Sequence, residues 1–216
     1  MQDKWYFFST EKYLKLEIEV PFETLLLEAQ KLKNLFTPHR ESETHKGWKS
    51  LSLYGLNSFA HESYAAYNYK TPLEASKNYK WTTAGNSCPN TKQWIIHNFP
   101  SNFYSRIRFM LLEPNGFIDF HKDTEYSILE NINVSLSNDQ ECNWIWKNGE
   151  RLFTKPGHIY TFNLSYLHKV ENNSKYPRYH LILSKQDSTN KWLQKIIFAT
   201  TSNLNKGVFI KHEPRS

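Results

Sequence analysis

The sequence predicts an α+β fold: a double-stranded β-helix (jelly roll, cupin-like) with N-terminal helices packed on one sheet. Two observations carry this expectation. After Phe103 the chain breaks into eight short runs rich in β-branched and aromatic residues, separated by turn signals at intervals of about 8–12 residues. Before them stands a proline-led stretch of strong helix formers, with no Gly/Ser/Pro-rich linker between the two parts.

Taken in order, Leu14, Leu16, Ile18 and Val20 alternate with charged residues, the period of a half-buried strand over Tyr13–Val20. Pro21 then opens Phe22–Phe36, where Leu, Glu, Lys and Gln dominate; proline in the first turn is tolerated and the rest favours a helix. Residues 37–48 are polar and read as loop, and Lys49–Tyr54 alternates again as a strand. Asn57–Asn90 reads as loops with a short helix around Pro72–Tyr79, followed by a helix over Thr91–Asn98. The eight strand candidates are Arg106–Leu112, Phe117–Phe120, Ile132–Leu136, Asn143–Trp146, Arg151–Thr154, His158–Leu164, His168–Val170 and Arg178–Leu183. Pro114-Asn115-Gly116, Asn148-Gly149, Pro156-Gly157 and Asn172-Asn173-Ser174 supply the turns, Asn-Gly being a strong hairpin cue. Asn190–Ala199 reads as a last helix. The expectation is one domain, 1–216: residues 1–100 cover the barrel, 101–185 form the β-helix core, and 186–216 make a C-terminal helix and tail.

Composition excludes several classes of protein. Hydrophobic residues are 39% of the 216 and aromatics 16%, too many for a disordered chain. No apolar run approaches the roughly 18 residues of a membrane span. Cys88 and Cys142 stand far apart, outside any zinc-knuckle spacing or disulfide framework, and Asp3 sits where a signal peptide needs positive charge. These features predict a cytoplasmic protein. The net charge of +6 comes from 21 scattered lysines rather than from the six arginines, so nucleic acid is not the expected partner.

Chemistry concentrates in the β-rich half. His121 and Asp123 are two apart after an alternating segment, and residues i and i+2 of a strand project from one face. One further imidazole completes a two-histidine, one-carboxylate set with open positions, suited to non-haem Fe(II) and oxygen. His168, 45 residues beyond Asp123 and at a strand edge, is the candidate. Ten residues later stands Arg178, which the Asn172–Pro177 turn is expected to place on the neighbouring strand, facing the same cavity. A guanidinium in so apolar a strand is costly unless it meets an anion, and its planar fork takes a carboxylate bidentately.

The segments Arg106-Ile-Arg-Phe-Met-Leu-Leu-Glu-Pro-Asn-Gly, His121-Lys-Asp, Phe162-Asn-Leu, His168-Lys-Val-Glu-Asn-Asn-Ser and Arg178-Tyr-His-Leu together resemble the Fe(II)/2-oxoglutarate-dependent dioxygenases. Within them they are most similar to the aspartyl/asparaginyl β-hydroxylase-like branch, which includes proline hydroxylases. The resemblance spans residues 100–185. It implies that His121, Asp123 and His168 bind Fe(II) and that Arg178 binds the C5 carboxylate of the cosubstrate 2-oxoglutarate. It further implies that O2 is split, 2-oxoglutarate becoming succinate and CO2 while a substrate C–H bond is hydroxylated. The implied substrate is an amino acid, a peptide or a related small molecule.

Aspartyl/asparaginyl hydroxylases carry glycine where this chain has Asp123, which leans away from their peptide specificity; the carboxylate also argues against halogenation. Relatives place an arginine or histidine on the strand after the His-x-Asp motif to help hold the cosubstrate; here Asn133 or Ser135 stands in that strand, as cosubstrate ligand or as ordinary strand residue. Trp48 and Tyr54 are candidates for the mouth of the site. Trp146, paired with Trp144 at strand spacing, and His180, two beyond Arg178, read either as substrate contacts or as core. His39, His45, His61, His97 and His212 have no constellation around them in the sequence. Three alternatives remain: a nucleic-acid oxidative demethylase, disfavoured by Ser184 where that branch has a further arginine; a non-catalytic β-helix binding protein; and a zinc hydrolase, which leaves Arg178 unexplained.

Overall fold

The computed structural model describes residues 4–9, 11–59, 64–99, 104–123, 129–138, 141–185 and 208–213. In chain order they form β1 (Lys4–Ser9), β2 (Tyr13–Leu16), α1 (Phe22–Lys31), β3 (Thr37–Ser42), β4 (His45–Gly55), α2 (Pro72–Ser76), β5 (Lys80–Trp81), α3 (Thr83–Asn86) and α4 (Pro89–Asn98). Then follow β6 (Tyr104–His121), β7 (Leu129–Ser135), β8 (Cys142–Trp146), β9 (Arg151–Leu152), β10 (Ile159–Asn163), β11 (His168–Asn172), β12 (Arg178–Lys185) and β13 (Val208–Glu213). The helix expected over Asn190–Ala199 lies outside the described residues. No helix among the described residues is long and apolar enough to cross a membrane.

The alternation in β2 buries Leu14 and Leu16, and Ile18 and Val20 pack on the same core just past the strand. Pro21 leads α1, whose inner face presents Leu25, Glu28 and Ala29. A short 3-10 turn, Lys33–Leu35, replaces the last turn of the longer helix that the sequence suggests. Glu28 is the buried carboxylate of this layer. It accepts hydrogen bonds from the Asn90 and Thr91 backbone N–H groups, the Asn90 amide and the Thr91 hydroxyl (2.6–2.9 Å), closing the N-terminus of α4. Glu28→Ala should therefore cost about 1.5–3 kcal/mol of folding stability, read as a fall in thermal midpoint, with Glu28→Gln intermediate. An unchanged midpoint would remove Glu28 from the forces that dock α4.

Two antiparallel sheets share β6. Its first half joins a sheet ordered β10–β7–β12–β6, extended by β2 beside β10 and by β4 on the far side of β6; its last residues join a second sheet, β6–β11–β8–β9. This is the double-stranded β-helix. On one face of the first sheet Leu51, Leu53, Phe109, Leu111, Leu181 and Leu183 form the main core with Leu25 of α1 and Ile95 of α4. The opposite face turns Arg108, Arg178 and His180 inward. β1 and β13 pair separately as a two-stranded ribbon.

Three local expectations need correction. Residues 37–48 are a hairpin, β3 turning into the start of β4, not a loop; β3 is an edge strand with mostly exposed side chains, so no alternation marks it. Pro114-Asn115-Gly116 does not reverse the chain: β6 runs through it and bends. Asn115 (φ 57°) and Gly47 in the facing strand (φ 66°) take left-handed conformations, and β4 shifts register between Lys46 and Trp48. A Cβ on Gly116 would stand 2.8 Å from the Glu113 carbonyl and 2.9 Å from that of Lys46, so the two strands bend together only because glycine is there. Third, β12 does not pair with β11; the two follow one another along one edge of β6, β12 on residues 104–112 and β11 on residues 117–121, with β4 on the other edge. The connecting turn is built on the buried Asn172 amide, which donates to the carbonyls of Leu112, Glu113 and Tyr176 at 2.8–3.1 Å and so ties the turn to the bend of β6.

Candidate metal centre

His121 ends β6 and His168 begins β11, and the two are direct cross-strand partners with ring centroids 4.4 Å apart. Asp123 lies just past β6, its backbone N–H bonded to the Leu164 carbonyl at 3.1 Å. Its Oδ2 is 3.8 Å from His121 Nε2 and 3.9 Å from His168 Nε2, and one donor atom from each residue lies within 4.8 Å of the others. Such separations are too long for direct hydrogen bonds and suit a cation held about 2 Å from each donor. Each imidazole is oriented from behind. His121 Nδ1 lies 2.7 Å from the Asp119 carbonyl and His168 Nδ1 2.8 Å from that of Tyr166; each Nδ1–H donates there, which leaves both Nε2 lone pairs facing the carboxylate. Burial pushes the His168 pKa down to about 4 against the Tyr166 hydrogen bond, so its ring is neutral, the ligand form.

Trp144 stacks flat on His168 (4.5 Å, 13°) and on Phe162 (4.0 Å, 4°), clamping the imidazole plane. Beside the triad opens a cavity of about 500 Å³ including its mouth. Trp48, Trp144, Asn131, Asn133, Arg178 and His180 give it polar atoms; Ile118, Leu164, Val170 and Ile182 give it apolar wall. Arg178 is 6% exposed, its Nη2 3.4 Å from the Thr154 hydroxyl, and burial lowers its pKa. His180 falls well below the ordinary histidine value through burial, then through the Arg178 and Arg108 charges, and stays neutral.

The structure thus brings together His121, Asp123, His168, Arg178, Asn133, Trp48 and His180. It leaves out three candidates. Ser135 spends its hydroxyl on the Thr154 carbonyl (2.7 Å). Tyr54 packs edge-on against Trp81, Tyr104 and Tyr79 in the other layer. Trp146 stacks on Tyr13 in the aromatic cluster behind Trp144 and does not line the cavity. Conversely, His39 and His45 do have a constellation: both rings contact Trp48, at 4.3 and 5.8 Å, and His45 lies 6.0 Å from His121. Only the Gly47 bulge turns His45 and Trp48 to one side, which no local pattern shows.

A jelly roll carrying a two-histidine, one-carboxylate cluster beside a cavity is the arrangement suited to the class of non-haem Fe(II) oxygenases. The sequence settles the group within it. The family described as aspartyl/asparaginyl β-hydroxylase matches residues 16–187, most of the chain. The chain belongs to that family and is a hydroxylating dioxygenase. No curated protein matches it significantly by sequence. Among solved structures it is similar to a Pseudomonas putida prolyl-4-hydroxylase (13% identity, TM-score 0.47, covering 82% of this chain and 94% of that one). It is also similar to a prolyl hydroxylase from Trichoplax adhaerens solved with a hypoxia inducible factor peptide fragment (13%, 0.49, covering 85% and 87%).

Proposed function

We propose that this chain hydroxylates a C–H bond of an amino acid, peptide or related small molecule, using Fe(II), 2-oxoglutarate and O2. In this reading His121, Asp123 and His168 hold the metal, and Arg178 takes the C5 carboxylate of 2-oxoglutarate. The supporting observation is a set of orphaned donors. Among the described residues, seven buried side-chain polar atoms lack a partner, and four of them belong to residues lining this one cavity: Trp48 Nε1, Trp144 Nε1, Arg178 Nε and His180 Nδ1. Two indole N–H groups and a guanidinium N–H can only donate, so they call for a ligand rich in acceptors, as a dicarboxylate is.

Bound Fe(II) supplies the redox chemistry: O2 gives one oxygen atom to 2-oxoglutarate, released as succinate and CO2, and the other to the substrate. The chain's own residues do the rest. Asp123 balances part of the metal charge, and the backbone carbonyls behind His121 and His168 keep both rings in the ligating tautomer. Arg178 fixes one end of the cosubstrate by a bidentate pair, while Ile118, Val170 and Leu164 keep water from the reacting end.

The direct test is anaerobic addition of Fe(II) and 2-oxoglutarate, expected to give a weak visible charge-transfer band that Zn(II) does not give. N-oxalylglycine, which keeps both carboxylates, should compete; indifference to it at saturation sinks the cosubstrate assignment. Asp123→Ala removes the only anionic ligand, so Fe(II) should bind more weakly without vanishing. Lys122, whose side chain is exposed on the other side of the strand end, should tolerate alanine. If Lys122→Ala proves the worse lesion in Fe(II) titration, the placement of this segment is wrong.

A further inference from the structure

Arg178 is not the only guanidinium buried behind this cavity. Arg108, 8% exposed, projects from β6 on the same sheet face, one position beyond the cavity's lining residues: its cross-strand partner Ile182 is the lining residue next to it, four residues along β12 from Arg178. Among the described residues no carboxylate pairs with it, and its Nε has no partner at all. What it does have is weak: Nη1 lies 3.5 Å from His39 Nε2, and Nη2 lies 3.5 Å from the Ser184 hydroxyl. His39 is in turn set by Ser50, at 3.2 Å from Nδ1, and its ring edge meets Trp48 of the cavity wall. Burial, then the neighbouring Arg106, pull the Arg108 pKa down to about 9, with Tyr79 opposing and Arg40 adding to the fall, so it stays a cation at neutral pH. A buried charge with no counter-ion costs stability and persists where a ligand supplies the missing charge.

We propose that Arg108, backed by His39, is a second anion-binding group and receives a carboxylate of the molecule to be hydroxylated. The inference rests on the reading above, in which Arg178 is already engaged by 2-oxoglutarate. Two sources share the chemistry: the α-carboxylate of a free amino acid, or the side-chain carboxylate of an acidic peptide.

Arg108→Met keeps most of the side-chain volume and removes the charge, so two readouts separate ligand binding from structure. The first is the thermal midpoint of the ligand-free protein, which should stay at or above wild type, because an uncompensated buried charge has gone. A structural Arg108 would instead drop it as far as a core truncation such as Leu111→Ala. The second is the thermal shift of protein loaded with Mn(II) and N-oxalylglycine, titrated with free L-amino acids, their amides, and N-acetyl-aspartyl and N-acetyl-glutamyl amides. Carboxylate probes should stabilise the wild type where matched amides do not, with affinity about 10–150-fold weaker in Arg108→Met and intermediate in Arg108→Lys. Arg151→Ala, a surface arginine, should bind as wild type. Stabilisation by free amino acids points to the α-carboxylate; stabilisation by the N-acetyl acidic amides points to the side chain. No shift from any carboxylate, equal shifts in Arg108→Met, or the large drop in midpoint overturns the proposal. N-oxalylglycine binding tells the two readings apart: it is about 10–150-fold weaker in Arg178→Ala and unchanged in Arg108→Met, whereas failure to bind even wild type defeats the cosubstrate reading itself.

Discussion

Truncating His168 to alanine should abolish both turnover and stoichiometric Fe(II) binding. The ring is 1% exposed, held from behind by the Tyr166 carbonyl and clamped by Trp144, so its Nε2 is fixed as one of the three donors of the cluster. Groups that only orient a ligand are worth about 10–100-fold in metal affinity, and removal of the ligand itself should exceed that range. His121→Ala should match it, since His121 is the cross-strand partner and supplies the equivalent Nε2. His158→Ala is the control: it sits outside the cavity, near the Tyr160 hydroxyl (3.3 Å), and should leave Fe(II) affinity within about a few-fold. Fe(II) titration on folded proteins decides. Equal loss in all three variants would show that the barrel, not the site, had been damaged.

Arg178→Ala should raise the KM for 2-oxoglutarate about 10–150-fold, the equivalent of losing one charge-assisted hydrogen bond of about 1.5–3 kcal/mol. Fe(II) affinity should change little, because Arg178 lies across the cavity and is no ligand. Lysine keeps the charge but not the planar fork, so Arg178→Lys should fall between. An arginine at a hairpin end is often a surface residue worth little, but this one is 6% exposed, lines the same cavity as the triad and has an unpartnered Nε. The measurement is KM for 2-oxoglutarate in succinate release, with Fe(II) titration on the same preparations. An unchanged KM in folded Arg178→Ala would defeat the cosubstrate role.

The site was legible in the chain to different depths. His121 and Asp123 declare themselves by spacing, because two residues apart at a strand end is a local relation that survives folding. Arg178 declares itself by cost, a charge in an otherwise apolar strand. Trp144 was visible only as half of a tryptophan pair, and nothing local says that it, rather than Trp146, lies against the histidine cluster. β8 sets it opposite Val170 and lets it stack on His168, while Trp146 turns to Tyr13. His39 and His45 carried no signal, since each matters through neighbours drawn from other strands; Arg108 stands in an apolar run as Arg178 does, but no spacing ties it to the triad. The hairpin over residues 37–48 was hidden because an exposed edge strand has no buried face to impose a period.

What the sequence determined by itself is the set of local preferences: alternation in β2 and β4, the proline-led helix α1, the run of short strands, and the His-x-Asp pair at the end of one of them. Tertiary structure alone decided that His168 stands opposite His121, that β12 returns beside β6 and not β11, and that Arg108 is buried without a counter-ion. The physical reason is parity. A strand's period of two says which residues share a face but not which strand lies alongside, and one bulge exchanges the faces. At Gly47 and along the bend of β6 that exchange happens, and it depends on two backbones approaching too closely for any side chain at Gly116. Such a contact exists only once the sheets have closed on each other.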